Sequence, residues 1–525
     1  MISHYEYYPG QAGHQYEDLD LRFSSIVDAR YTTTSSFAGN PCIEALPFPR
    51  TQTEVYSAYQ RDIPYRRNSK TEKISLDEAL TALNALTELR FPLPFHHTLE
   101  VTFYNILTAS YQRRTSKFSS KPVATIANDH EIIENHHQLL GDPASDANTG
   151  LALLGYSGCG KSSSLEILLS HYPQVIYHYD EHGGRYPQIV YLAVNCIPNS
   201  NFSALYSRIG EAIDRALDLE ESIYQHMVDS QRSLGAKSTC IRRLIEIFSI
   251  GAIILDEIQL IDFNTTKENS FESLLLLTNE TKVAFVVVGT EDAYSKMFKE
   301  PRTARRIGEI INGNAYCENR TYFSRMLSML FRYQWFKHPV HLTSEIAEAL
   351  YELSHGVIYY VIKSYIELHR AYYDELSTPI INAAFIRSNV RPRMELLYQL
   401  LQETVTHNPM QSNADPALHM DEQRQIEFSQ TYLDVCRDAD NLRQNVCRNV
   451  ATILGSKVDF HTVDSTYSRV IAKTNQDKTE KSLTQAVVKI LSQKTNKTKK
   501  QVLSSISLEE MKNSLLQSTE RDTSL

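Results

Sequence analysis

Residues 151–162, LALLGYSGCGKS, place Gly155, Gly160, Lys161 and Ser162 at the spacing Gly-x-x-x-x-Gly-Lys-Ser. An apolar run, Leu151 to Leu154, leads in, and a helix-compatible run from Ser163 to Ser170 follows. That strand–loop–helix setting is what a phosphate-cradling loop requires. Glycines let backbone N–H groups turn toward a triphosphate without Cβ clashes, and the helix that follows offers its positive end. The expected nucleotide-binding set is Gly155, Tyr156, Ser157, Gly158, Cys159, Gly160, Lys161, Ser162 and Ser163, with ATP as the nucleotide. Lys161 would reach the β- and γ-phosphates, and the Ser162 hydroxyl would ligate Mg²⁺. Cys159 needs no side-chain chemistry there and reads as a thiol-sensitive spot.

A second pattern, GAIILDE at 251–257, is a short buried-strand signature ending in two acids. Asp256 is placed to hold the Mg²⁺ shell. Glu257 is placed to polarise an attacking water, so the pair favours a hydrolysing ATPase over a kinase or a GTPase. A third apolar run, KVAFVVV at 282–288, ends in Gly289-Thr290. Thr290 is either a polar sensor of the γ-phosphate or a cap for a helix starting near Glu291. Arg302, Arg305 and Arg306 in EPRTARRIGE are either a solvated basic face or the source of an arginine finger; for that finger Arg305 and Arg306 are the candidates.

The set GYSGCGKS (155–162), YPQVIYH (172–178), LDEIQ (255–259), VVGT (287–290), TARRIG (303–308) and ELSHGV (352–357) resembles the TnsC-type AAA+ regulators of DNA transposition. NPCIEALP (40–47) resembles a further short motif of that family, and the likeness covers roughly residues 40–400. The related TniB regulators share the ATPase core without the long termini. The resemblance implies ATP-dependent assembly into a homo-oligomeric ring or filament on duplex DNA. It also implies contact with a target-selecting protein and with transposase subunits, and a reset by ATP hydrolysis. One departure stands out. AAA+ lids often carry an arginine soon after a glycine, but Gly356 is followed by Val357, Ile358, Tyr359 and Tyr360. Lys363, about two turns on, is either a substitute or a surface lysine.

The fold implied is α/β: a AAA+ P-loop core whose parallel sheet is flanked by helices, with a small helical lid, an N-terminal extension and a helical C-terminal tail. Residues 1–95 read as the extension, tyrosine-rich, with a helix at 76–90, and as the selector-facing part. Residues 96–340 hold the core, opening with a helix over 96–114. Strands are expected near 150–155, 188–195, 251–256 and 282–288, with right-handed crossovers. Residues 341–405 read as the lid, with Thr343 as an N-cap and Gly356 as a stop. The tyrosines of 357–373 read as lid core rather than a stacking platform. Residues 406–525 form the tail, opening with a linker at 408–421. Its stripes Leu483, Val487, Ile490, Leu491 and Leu508, Met511, Leu515 lack an obvious core of their own. They read as helices that bury against a partner, which the resemblance implies is the transposase, or that fold back on the ATPase core as a regulator. Lys494, Lys497, Lys499 and Lys500 read as a solvated linker, or as a contact to DNA or an acidic partner.

Composition limits the remaining classes. The chain has 525 residues, 42% hydrophobic and 22% charged, enough for about three domains. Seven cysteines without any Cys-x-x-Cys argue against zinc and a disulfide framework, and fit a reducing cytoplasm. MISHYEYYPG lacks the charge and apolar runs of a secretory leader, and no apolar run is long enough to span a membrane. The net charge of −9 means that any DNA affinity comes from a local patch repeated by oligomerisation. The best such patch is Arg232, Lys237, Ser238, Thr239, Arg242 and Arg243, with Lys237 and Thr239 as the DNA candidates; a solvated helix face is the other reading. No helix-turn-helix or zinc pattern appears, so contact with duplex DNA is expected to be sequence-independent. Two alternatives remain: a AAA+ replication initiator or helicase loader, and a nucleotide-gated scaffold with negligible hydrolysis.

Overall fold

The computed structural model describes residues 16, 26–32, 40–63, 76–114, 150–179, 184–198, 200–261, 274, 277–278, 280–297, 308–375, 378–406, 416–454, 460–472 and 479–494. Two compact units emerge, residues 1–430 and 431–525.

The centre of the first unit is a five-stranded sheet. Its strands are β2 (Gly150–Leu154), β5 (Tyr191–Asn195), β6 (Ala252–Asp256), β7 (Ala284–Gly289) and β8 (Glu309–Asn312), in the order β5-β6-β7-β2-β8. Every pairing in it is parallel. β2 and β7 are buried along their whole length, as their unbroken runs of Leu, Val and Ala demand when helices cover both faces. The covering helices include α4 (His96–Arg114), α5 (Lys161–Leu169), α6 (Phe202–Ala216), α7 (Ile223–Asp229), α8 (Leu234–Ile247) and α9 (Glu291–Met297). A core of Leu192, Val194, Ile209, Ile241, Ile253 and Val287 joins the sheet to α6 and α8. α4 lies where the apolar pattern of 96–114 puts it, and Ser110 donates to the Gly251 carbonyl at the foot of β6 (3.0 Å).

The strand expected over 188–195 is two strands. β4 (Arg185–Ile189) belongs to a second sheet and β5 to the first. At the junction the Val190 N–H turns to Gln174 while its carbonyl accepts from Ala252. The second sheet has the order β1-β3-β4, with β1 (Ile26–Asp28) parallel to β3 (Val175–Tyr179) and β3 antiparallel to β4. Pro187 is tolerated because β4 is an edge strand.

The expected boundary at residue 95 does not separate compact units. β1, α1 (Pro41–Glu44) and α2 (Gln52–Tyr59) pack on the core. NPCIEALP is buried throughout, held by Gln188 Nε2 donating to Cys42 O (3.0 Å) and Thr32 N to Glu44 O (2.8 Å). Arg50 forms a buried ion pair with Glu100 of α4 and lies over the Tyr59 ring. α3 (Leu76–Asn84), continued by a short turn of 3₁₀-helix at 85–88, covers the helix expected over 76–90.

α10 (Arg320–Leu330) leads to the lid, α11 (Ser344–Ser354), α12 (Ile358–Asp374) and α13 (Arg391–Thr406). Thr343 caps α11 through its side chain, accepting from Ile346 N. The left-handed stop takes two residues, His355 (φ 46°) and Gly356 (φ +75°). Tyr365 and Tyr372 are lid core, whereas Tyr359 is 51% exposed.

α14 (Pro416–Leu454) begins in the first unit: Ser429 donates to the Tyr56 hydroxyl (2.9 Å) and Gln430 to Asn319 (3.0 Å). In the second unit the rest of α14, α15 (Phe460–Ala472) and α16 (Glu480–Lys494) enclose Val446, Val450, Val463, Tyr467, Leu483 and Val487. This corrects the expectation that the 482–494 stripe lacks a core of its own: Leu483, Val487 and Leu491 are buried within the chain, and Ile490 alone of the four stays outside. The 506–517 stripe and Lys497, Lys499 and Lys500 lie outside the described residues. Among the described residues no helix is long and apolar enough to cross a membrane.

Candidate active site

The loop after β2 folds as its glycines require. Gly158 (φ +86°) and Gly160 (φ +97°) hold left-handed conformations that a Cβ would strain, and Gly160 is the N-cap from which α5 starts. Lys161 is buried, and its ammonium donates to the carbonyls of Gly155 and Tyr156, each at 2.8 Å. Cys159 is fully buried, and burial pushes its thiol above the usual range. Burial shields the thiol and disfavours its thiolate, which runs against the expected thiol sensitivity.

Two segments outside the motif fix the loop's shape. The Asn314 amide accepts from the Tyr156 N–H (2.6 Å) and donates to the buried Glu291 carboxylate (2.7 Å). Burial raises the pKa of Glu291, while the Asn314 bond opposes that rise. The Tyr316 hydroxyl donates to Cys159 O (3.2 Å). Beneath α5, the Ser164 hydroxyl donates to Gly160 O (2.7 Å), so the 2.8 Å contact from His96 Nε2 is a donation to Ser164. His96 Nδ1 then accepts from Leu93 N (3.0 Å), and burial drives the ring well below its ordinary pKa, so it is neutral.

The candidate site residues converge at the carboxyl ends of β2, β6 and β7. The Ser162 hydroxyl lies 2.9 Å from Asp256 Oδ2. Oxygens adjacent in a magnesium octahedron stand about 2.9 Å apart at its usual bond lengths, and magnesium takes only one or two protein oxygens beside phosphate and water. The pair therefore fits that ion. Glu257 is left-handed (φ 55°, ψ 42°), a conformation costing roughly 1–2 kcal/mol for a residue with a side chain. Its N–H donates to Asp256 Oδ1 (2.9 Å). The turn that follows carries Gln259 back over it, and Gln259 Nε2 donates to the Glu257 carboxylate. The other end of that amide, Oε1, accepts from Thr290 N (3.1 Å).

Asp256, Glu257, Ser162, Lys161 and Thr290 are thus brought together. Arg305 and Arg306 lie outside the described residues. Lys363 pairs with Glu367 (3.1 Å), as does Arg370 (2.7 Å), so its charge is engaged within the lid. The lid touches the loop by another route: the Tyr359 N–H donates to Gly158 O (3.1 Å). Lys237 and Thr239 sit on α8, where Lys237 pairs with Asp229 (3.0 Å) and the Thr239 hydroxyl donates to Gly235 O (3.0 Å). Arg242 pairs with Glu280 (2.6 Å), whereas Arg232 and Arg243 are exposed. Sequence reasoning missed Gln259, Asn314 and Tyr359. Gln259 stands inside LDEIQ, but nothing local tells that its amide reaches β7.

Residues 146–297 match the family model described as "AAA domain". With the sheet order and the loop geometry, this defines the core as a AAA+ P-loop fold. Similar solved structures include a Walker-type ATPase of Pyrococcus abyssi, at 12% identity over 72% of this chain and 90% of that one, TM-score 0.28. Cdc6p from Pyrobaculum aerophilum matches at 12% identity over 74% and 86%, TM-score 0.28. Drosophila ORC bound to DNA matches at 9% identity over 90% and 91%, TM-score 0.28. No curated protein matches the sequence.

Proposed function

We propose that this chain is an ATPase that regulates DNA transposition, assembling on duplex DNA with ATP and released by hydrolysis. The observation that carries the ATPase part is the 2.9 Å approach of Ser162 to Asp256, with Glu257 beside them. Lys161 exchanges its two loop carbonyls for phosphate oxygens, and loop N–H groups hold the triphosphate. Ser162 and Asp256 would hold a magnesium ion, which would supply charge neutralisation to the phosphates. Glu257 takes the proton of a water whose oxygen bonds to the γ-phosphorus. The bond from that phosphorus to the bridging oxygen breaks, and ADP leaves with the electron pair. Thr290 faces this step, and Arg305 or Arg306 of a neighbouring copy completes the site.

The transposition part rests on the motif resemblance, NPCIEALP included. In that reading the N-terminal part meets the target selector, the C-terminal tail meets transposase, and Lys237 and Thr239 contact DNA phosphates. Lys237 must then trade Asp229 for phosphate. A replication initiator or helicase loader would use the same site. The test measures phosphate release with and without duplex DNA, then capture of a transposase by the ATP-bound protein. ATP turnover with transposase capture supports the reading. Turnover without capture favours the initiator class, and absence of turnover removes both.

A further inference from the structure

We infer that Gln259 is a positioning residue that ties the base Glu257 to the backbone of Thr290; this rests on the ATPase reading above. The geometry leaves the amide one orientation. Ionised Glu257 can only accept, and a backbone N–H can only donate. Gln259 Nε2 must therefore face Glu257, and Oε1 must face Thr290 N, at 3.1 Å. One side chain thus joins the end of β6 to the end of β7, the two strands whose tips carry the catalytic acids and the polar threonine.

The backbone is arranged to permit this. The left-handed Glu257 starts the tight turn, closed by Leu260 N donating to Glu257 O (3.0 Å), that returns Gln259 to its neighbour. Gly289 clears the path. A Cβ there would lie 2.7 Å from Gln259 Oε1, 2.8 Å from Ile258 Cγ2 and 3.1 Å from Ala293 Cβ. Any side chain at 289 pushes the amide off Thr290. The exposed Glu257 carboxylate has rotamer freedom of its own, and the amide removes it. A γ-phosphate that draws on Thr290 therefore acts on the base through a single amide, so base alignment follows nucleotide state.

The test uses the full chain and four variants, Gln259→Met, Gly289→Ala, Glu257→Gln and the double Gln259→Met/Glu257→Gln, reading kcat, KM for ATP, binding of a slowly hydrolysed ATP analogue, and melting temperature. Methionine keeps length and volume while removing both bonds. We expect Gln259→Met to lower kcat about 10- to 100-fold, the range for losing a hydrogen bond to a charged group. KM, analogue binding and melting temperature should stay near wild type. Gly289→Ala should reproduce the kcat loss by displacing the amide without altering Gln259. In the Glu257→Gln background the methionine should add little, because the base it positions is gone. Wild-type kcat in Gln259→Met overturns the inference while leaving the ATPase reading intact. So does an equal further loss in the double variant, or a defect confined to KM and melting. A wild-type chain without ATP turnover overturns both.

Discussion

Acid should detach β1 and α1 from β3 and β4, through His178. The Cys42 carbonyl can only accept, so Gln188 Nε2 faces it (3.0 Å) and Gln188 Oε1 faces His178 Nε2 (2.7 Å). That nitrogen therefore carries the proton, and Nδ1 accepts from the Tyr31 hydroxyl (2.7 Å). The neutral ring thus links β3, β4 and the 26–48 segment. Burial lowers its pKa to about 4, against the opposing pull of Gln188. Above the unfolded value near 6.5 both states are neutral and pH has no effect. As pH falls from 6.5 to 4 the open chain binds a proton that the folded chain refuses, so stability is lost across that window. At pH 5 the loss is about 2 kcal/mol, a factor of about 30, and about 3.4 kcal/mol below pH 4. His171, held to about 4 by burial and by Arg50, and His369, held to about 3 by burial, add their own acid sensitivity. A subtraction isolates His178. Hydrogen exchange over β1, α1 and β3 should lose about 30-fold protection between pH 7 and 5 in wild type, after correction for intrinsic rates. His178→Gln, neutral at every pH, should keep most of it. Equal pH dependence in the two proteins would refute the reasoning.

Other outcomes rest on the same geometry. Ser162→Ala should weaken magnesium-dependent ATP binding by about 1–3 kcal/mol while metal-free nucleotide binding changes little, measured by titration calorimetry. Gly158→Ala places a methyl 2.7 Å from Tyr359 Cβ at φ +86°; it should lower stability by about 1–3 kcal/mol and raise proteolysis of the α11–α12 turn, and an unchanged digestion pattern counts against the lid contact. Lys237→Ala should reduce the salt slope of DNA binding by about one without changing sequence preference. A chain ending at Gln430 should keep ATP turnover, whereas one ending just before Asp464 leaves Arg443 without its 2.6 Å carboxylate bonds and part of the second core exposed, and should aggregate.

What the sequence reveals depends on how local its physics is. The phosphate loop, the β6 acids, α4 and the Thr343 cap are each written within a few residues, and each stands where it is read. The strand over 188–195 is misread because its apolar run is continuous, while the change of sheet at Val190 is set by bonds to Gln174 and Ala252, outside that run. β8 is four residues long and carries no periodicity. Gln259 and Asn314 look like ordinary amides until β7 and β2 bring their partners near. The stripe of α16 is legible as a buried face, but amphipathicity does not say what covers it; here the chain itself does.

The parallel pairing of β1 with β3 sets an order of events during synthesis. Ile26 meets Val175 and Asp28 meets Tyr177, so the strand that leaves the ribosome early waits for a partner far behind it in the chain. At the usual elongation speed of about 5–20 residues per second that wait is on the order of ten to thirty seconds. Throughout it the NPCIEALP segment, buried in the finished protein, lacks Gln188, the donor to its Cys42 carbonyl. Closing so long a loop is slow, and before it closes α4 is the nearer surface on which α1 and α2 pack. The stretch 26–48 is therefore where a chaperone would find this chain during translation, and slowing translation before residue 180 should lengthen that exposure in proportion.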